Sequence, residues 1–229
     1  MDVVQELASR KSSRDVRNEG PEGSIRQEED RATSLGKGAT ASTSVTPAEE
    51  AEKKLEPHYL LVRPYSRYPP ERARHSLTAG TLRGPGMLAT NPLVMTKTTH
   101  GALREGGHRG DGVAFLHLGR SLCGHDGVVH GGLIATIFDE TLARTAFYSL
   151  PTNVGVTARL EVNYRKPTMA DQIVRIETEL VEAKGRKASV KGRMFDLNGL
   201  LLAEAEALFV EPRFAKYIST STAKEFLEG

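Results

Sequence analysis

The sequence predicts an α+β fold in which an antiparallel sheet wraps around one long central helix. Three observations predict it. Between His130 and Ser149, the residues Ile134, Ile137, Phe138, Thr141, Leu142 and Thr145 recur at spacings of three and four, and Ala135, Ala143 and Ala146 add a second, small-residue face. A helix that is apolar nearly all round belongs in an interior. From Val154 the period falls to two, and four such segments follow one another with short turns between them. Four consecutive antiparallel strands after one buried helix must close around that helix. The last strand leaves room for this, with Leu201, Ala203, Ala205, Ala207 and Phe209 on one face.

Met1–Pro57 has no Phe, Tyr or Trp, eight Leu, Ile and Val in all, and twelve acidic against nine basic residues. Such a segment cannot repay the entropy of ordering, so residues 1–57 are expected to be a disordered polar tail. The tail also accounts for a hydrophobic content of only 38%, against roughly 45–50% in globular chains. In residues 58–112 the apolar clusters at Tyr59–Val62 and Leu93–Met95 are broken by Pro64, Pro69, Pro70, Pro85 and Pro92. An irregular lead-in packed on the domain is expected there. The domain itself is expected over 113–212, opening with a strand at Val113–Leu118. Pro151 ends the helix. The strand from Val154 to Tyr164 alternates Val156, Ala158, Leu160, Val162 and Tyr164 with polar neighbours, and Pro167 stops it. Strands near Gln172–Glu182 and Lys187–Phe195 share a hairpin turn at Gly185. A turn at Asp196–Gly199 leads to a last strand at Leu200–Val210, and Pro212 closes the sheet. Residues 213–229 are left as a C-terminal tail.

A net charge of +2 with mixed signs gives no footprint for nucleic acid or an acidic membrane surface. The single cysteine, Cys123, has no partner for an internal disulfide. No apolar run reaches the length of about 18 residues that a spanning helix needs. Asp2, Glu6, Asp15 and Glu19 stand where a secretory signal would be apolar, and they count against a mitochondrial transit peptide, which is poor in acids. A cytoplasmic protein is expected, with a mitochondrial location as the alternative.

The chemistry-bearing residues gather at the start of the helix and two turns inside it. Gly131 and Gly132 open the helix after Cys123-Gly-His125-Asp126 and His130, leaving backbone N–H groups free to meet negative charge at the positive end of the helix dipole. The alternative is that these glycines only permit a tight strand-to-helix turn. Asp139 is a carboxylate amid an apolar helix, and Ala135, Thr136, Leu142 and Ala143 on its own face cannot neutralise it. It is expected to look into a cavity, with Glu140, about 100° away, as the solvated acid; the alternative is that either acid marks a narrow wet edge. Arg165 and Lys166, with Arg186 and Lys187 on a nearby hairpin, suggest a basic rim, or else ordinary solvated turn charges. Cys123 with His125 has no nucleophile–base spacing of note. His117, His125, Asp126 and His130 match no zinc pattern, so no metal is expected. Gly106–Gly112 lacks the Lys-Ser/Thr of a phosphate loop, and no cofactor is expected.

The string His130-Gly-Gly-Leu-Ile-Ala-Thr-Ile-Phe-Asp139-Glu140 resembles the helix-start signature of hotdog-fold acyl-CoA thioesterases, in the branch of the phenylacetate-pathway and 4-hydroxybenzoyl enzymes. Gly155–Pro167, Gly185-Arg186-Lys187 and Ala203–Val210 continue the resemblance, which covers roughly Val113–Pro212. Leu77–Gly86 and the Leu-Cys-Gly-His approach ending at His125 are most similar to fungal proteins of this type. The resemblance implies hydrolysis of an acyl-CoA or carrier-bound thioester, in lipid or polyketide metabolism including secondary-metabolite synthesis. It also implies a homodimer or dimer of dimers with sites at the subunit interface. Asp139 falls on the family's catalytic carboxylate, Gly131 on its oxyanion-binding amide and Thr157 on a water-orienting hydroxyl. His125, His130 and Gly132 line the approach in place of an Asn or Gln found in some relatives, and Arg165, Lys166, Arg186 and Lys187 are candidates for the phosphates of coenzyme A. Two other functions are carried alongside: a hotdog dehydratase or hydratase, whose Asp-x-Asn-Pro-x-His setting is missing here, and a non-catalytic acyl-binding or interaction domain.

Overall fold

The computed structural model describes residues 57–215 and Leu227, all within the unit Thr46–Gly229. Nearly all of the expected polar tail, and most of the C-terminal tail, lie outside the described residues. One seven-stranded antiparallel sheet carries the fold. Its strands are β1 (Tyr59–Val62), β2 (Leu93–Lys97), β3 (Gly112–Leu118), β6 (Val156–Tyr164), β7 (Gln172–Lys184), β8 (Lys187–Asp196) and β9 (Leu201–Val210). They run side by side in the order β1-β2-β3-β7-β8-β9-β6. A two-stranded ribbon, β4 (Cys123–His125) with β5 (Val128–Val129), leads into the long helix α3 (Gly131–Phe147). Two short α-helices precede it in the lead-in, α1 (Pro70–Ala73) and α2 (Thr99–Glu105), with a π-helical turn at Leu77–Thr81 between them.

The helix and the four strands after it stand within a few residues of their expected places. His130 caps α3 with extended backbone, its Nδ1 accepting from the Gly132 N–H at 2.9 Å. Asn153, in the left-handed region at φ 55°, turns the chain back after the helix and donates from Nδ2 to the Phe147 carbonyl at 2.7 Å. Phe138, Leu142 and Ala146 are fully buried against Val190, Met194 and the alanines of β9. Gly192 of β8 is needed for this approach, because a Cβ there would stand 3.0 Å from a Leu142 methyl and 3.3 Å from the Glu177 carbonyl oxygen. Near the start of β9 a register shift opposite Met194 and Phe195 changes the alternation, so that Leu202 is buried and Leu201 only half so.

Two features bear on the sequence expectation. The lead-in is not irregular throughout: β1 and β2 pair with each other, and β2 pairs with β3, extending the sheet. The prolines bound these strands instead of forbidding them, with Pro57 and Pro64 flanking β1 and Pro92 just before β2. The second feature concerns β6, which lies at the sheet's edge, paired only with β9. Leu160 and Val162 of its apolar series pack against the core, while most of its residues are exposed, with Val156 at 49% and Tyr164 at 52%.

Seven strands at about 4.8 Å spacing make a sheet roughly 29 Å wide, whereas a helix with its side chains is about 10–12 Å across. The helix α3 packs on β6, β7, β8 and β9. The inner face of β2 and β3 is roofed instead by the lead-in between Pro64 and Pro92.

Candidate active site

Helix α3 is stitched to β6 at two points. Near its start, the Tyr164 hydroxyl at the end of β6 donates to the Gly131 carbonyl at 2.8 Å. Two turns on, the Thr157 hydroxyl near the start of β6 donates to Asp139 Oδ1 at 2.7 Å. Helix and strand therefore run in opposite directions, with Gly131 at one end of β6 and Asp139 at the other. A register shift in the β6–β9 pairing between Thr157 and Arg159 lies next to this contact. Among the described residues nothing accepts from the Gly131 N–H, in contrast to that of Gly132, which His130 holds. Gly131 and Asp139 are eight positions apart, about 12 Å of helical rise. Within one chain they do not meet a common atom.

Glu140, the acid next to Asp139 on the helix, faces a pocket. Half-buried, it lines a narrow pocket, a cavity of about 50 Å³, between α3, the inner face of β2 and β3, and the lead-in. Both its oxygens are held from the lead-in: Tyr65 donates to Oε2 and Thr78 to Oε1, each at 2.8 Å. The assignment of Glu140 as the solvated acid is thereby corrected, since segments 62 and 75 residues away cover it. Burial, and then the Glu140 charge, push the Tyr65 phenol far above the ordinary tyrosine range, so Tyr65 stays a donor. Arg83 lies over the Tyr65 ring, 4.9 Å from its centre, and donates from Nε to the Thr78 carbonyl at 2.8 Å. Arg144, almost completely buried, donates to the Leu227 carbonyl at 2.6 Å. Burial lowers the proton affinity of both guanidiniums.

Of the remaining residues, His130 and Gly132 sit with Gly131 at the helix start, and His125 is exposed on the neighbouring β4–β5 ribbon. A Cβ at Gly124 would stand 2.9 Å from the His130 ring, so that ribbon passes close over the cap. The expected basic rim is not formed within one chain. Arg165 and Lys166 follow the end of β6, whereas Lys187 is level with Val210 and hence with Val156 at its start. Nine residues of strand separate them, about 30 Å. Arg165 is also paired with Glu204 at 2.7 Å, and Arg186 donates to the Glu211 carbonyl at 3.0 Å. Tyr65 and Thr78 were missed by sequence reasoning, and nothing in the local pattern of the lead-in marks them out.

A central helix wrapped by an antiparallel sheet, with a carboxylate at mid-helix and two glycines at its start, defines a hotdog-fold protein. The sequence pattern of the thioesterase superfamily matches residues 126–203, the stretch that holds Gly131, Asp139 and Thr157. The chain is 31% identical over 158 residues to an uncharacterized mitochondrial protein of Candida albicans, covering 66% of this chain and 67% of that one. It is 35% identical over 100 residues to the acyl-coenzyme A thioesterase THEM4 of Mus musculus, covering 43% of this chain and 42% of THEM4. Among solved structures, a hypothetical thioesterase of Streptococcus pneumoniae with coenzyme A matches at 22% identity and a TM-score of 0.41, over 44% of this chain and 77% of that one. The chain belongs to the thioesterase superfamily. It spans about two-thirds of the Candida relative and less than half of THEM4.

Proposed function

We propose that this protein hydrolyses an acyl-CoA, or carrier-bound acyl, thioester to the free acid, and that it does so as a homodimer. The observation that carries the reading is the Asp139–Thr157 pair: a mid-helix carboxylate with one oxygen held by a hydroxyl and the other unengaged by any described residue. Attack on a thioester carbonyl builds negative charge on its oxygen. The Gly131 N–H, at the positive end of α3, is a fitting donor to that oxygen, and such donors are worth about 2.7–4 kcal/mol elsewhere. Asp139 takes a proton from the attacking water, or attacks the carbonyl itself to give an anhydride that water then opens. Thr157 keeps the carboxylate oriented in either route.

The dimer follows from β6. An exposed, partly apolar edge strand is an open template for pairing. Two β6 edges paired antiparallel about a two-fold axis bring the Tyr164 end of one chain to the Thr157 end of its partner. That places the Gly131 amide of one chain beside the Asp139 carboxylate of the other. The same pairing brings Arg165 and Lys166 of one chain toward Arg186 and Lys187 of the partner, where their charge suits the phosphates of coenzyme A. The name of the Candida relative favours a mitochondrial location over a cytoplasmic one.

The test is thiol release from a panel of acyl-CoAs, with sedimentation analysis of the same protein. Turnover by a dimer is expected. A well-folded protein that releases no thiol from any member, or that works as a monomer at every concentration, overturns the reading.

A further inference from the structure

The narrow pocket beneath the lead-in is not used by the chemistry just described, although it abuts it. Thr136 and Glu140, which line it, flank Asp139 on the surface of α3. Its floor is the inner face of β2 and β3, where Gly112 and Ala114 stand opposite Thr96 and Val94. The helix packs mainly on β6 to β9, and the two small residues leave space between it and these strands. Its roof includes Pro64, Leu82 and Pro92. Apart from α3 and Thr178, every lining residue precedes residue 126, where the superfamily match begins. The walls are mostly apolar, and among the described residues that form them Tyr65 is the only aromatic one. The polar groups of Tyr65, Thr78 and Glu140 satisfy one another, and the guanidiniums of Arg83 and Arg144, which also line the pocket, donate to the Thr78 and Leu227 carbonyls.

We propose that this pocket houses the tail of the substrate's acyl group, and that it selects a straight aliphatic chain over an aromatic acyl group. The proposal rests on the thioesterase reading above. A narrow, apolar slot suits a thin flexible chain and excludes a ring. The carbonyl end of such a chain emerges between Thr136 and Glu140, next to Asp139. The lead-in therefore sets chain length, and the Tyr65–Glu140–Thr78 clasp is a positioning element that holds the roof down on the helix.

Two variants intrude on the slot from opposite sides: Ala114→Leu from the floor and Leu82→Phe from the half-buried roof, which has more freedom to adjust. The measurement is kcat/KM for butyryl-, octanoyl-, lauroyl-, palmitoyl-, benzoyl- and phenylacetyl-CoA. In parallel, saturated fatty acids displace a fluorescent fatty acid from each protein. Each buried methylene is worth about fourfold, so displacing two lowers the long-to-short ratio of kcat/KM by roughly tenfold or more. Fatty-acid affinity should fall in the same order. Hydrolysis by wild type with an unchanged ratio in the folded variants sinks the pocket and leaves the thioesterase reading standing. So does a wild-type preference for the aromatic thioesters. Fatty-acid binding that weakens in the variants, without hydrolysis of any thioester, does the reverse.

Discussion

At the scale of single residues, the proposed chemistry turns on one carboxylate and the hydroxyl that holds it. Asp139→Asn is nearly isosteric, and hydrolysis should fall by at least about a hundredfold with the melting temperature little changed, the low end for loss of a general base. Thr157→Val removes only the orienting hydrogen bond at 2.7 Å. Its expected cost is milder, about tenfold in kcat, the low end for a hydrogen bond to a charged group. Steady-state kinetics on one acyl-CoA checks both, and a Thr157→Val loss as large as that of Asp139→Asn would show that the hydroxyl does chemistry of its own. Asp139 was legible in the sequence as an unneutralised acid in an apolar helix. Its partner was legible only through resemblance, because Thr157 is 18 residues away across a turn and no period links them. Glu140 was misread for a related reason. The helix alone does not tell the two adjacent acids apart, and only chain folded over from Tyr65 and Thr78 covers Glu140.

At the scale of elements, the lead-in behaves as part of the domain. Glu140→Ala leaves the Tyr65 and Thr78 hydroxyls without their acceptor in a largely buried pocket, and should cost roughly 1.5–3 kcal/mol. A urea titration followed by tyrosine fluorescence measures it, and limited proteolysis should place the new cleavage sites between Pro64 and Pro92. Trimming makes the same point. A chain beginning at Pro57 should keep its melting temperature and its activity, because the removed segment is too poor in apolar residues to add to a core. One beginning at Val113 loses β1, β2 and the roof, and should melt many degrees lower or fail to fold. Loss of stability in the first of these would show that the polar tail contributes to the domain. The helix and β7 to β9 could be read from periodicity since each is long and half or fully buried. By contrast, β1 has four residues and β2 five, too few for a period to stand out among five prolines.

At the scale of the whole molecule, the opposed ends of β6 make a shared site a requirement of the proposed chemistry. Mixing two defective chains tests it. Asp139→Asn lacks the carboxylate, and Gly131→Pro lacks the N–H at a first helical position that tolerates proline. The backbone before it suits proline as well, with His130 at φ −62° and ψ 130°. Each variant alone should be inactive. Co-expressed, half of the randomly paired dimers are mixed and each has one intact site of two, so activity should recover to roughly a quarter of wild type. No recovery in verified mixed dimers would place both groups in one chain's site and end the shared-site account. The bare edge of β6 carries a further consequence. A catalyst assembled from two half-sites is a second-order product of its own abundance. On serial dilution its specific activity should decline once the protein falls below the dissociation constant of the pair, and it should recover when an inactive but pairing-competent chain is added back. Output would then track the square of expression at low copy number, so that scarcity alone silences the enzyme without any inhibitor.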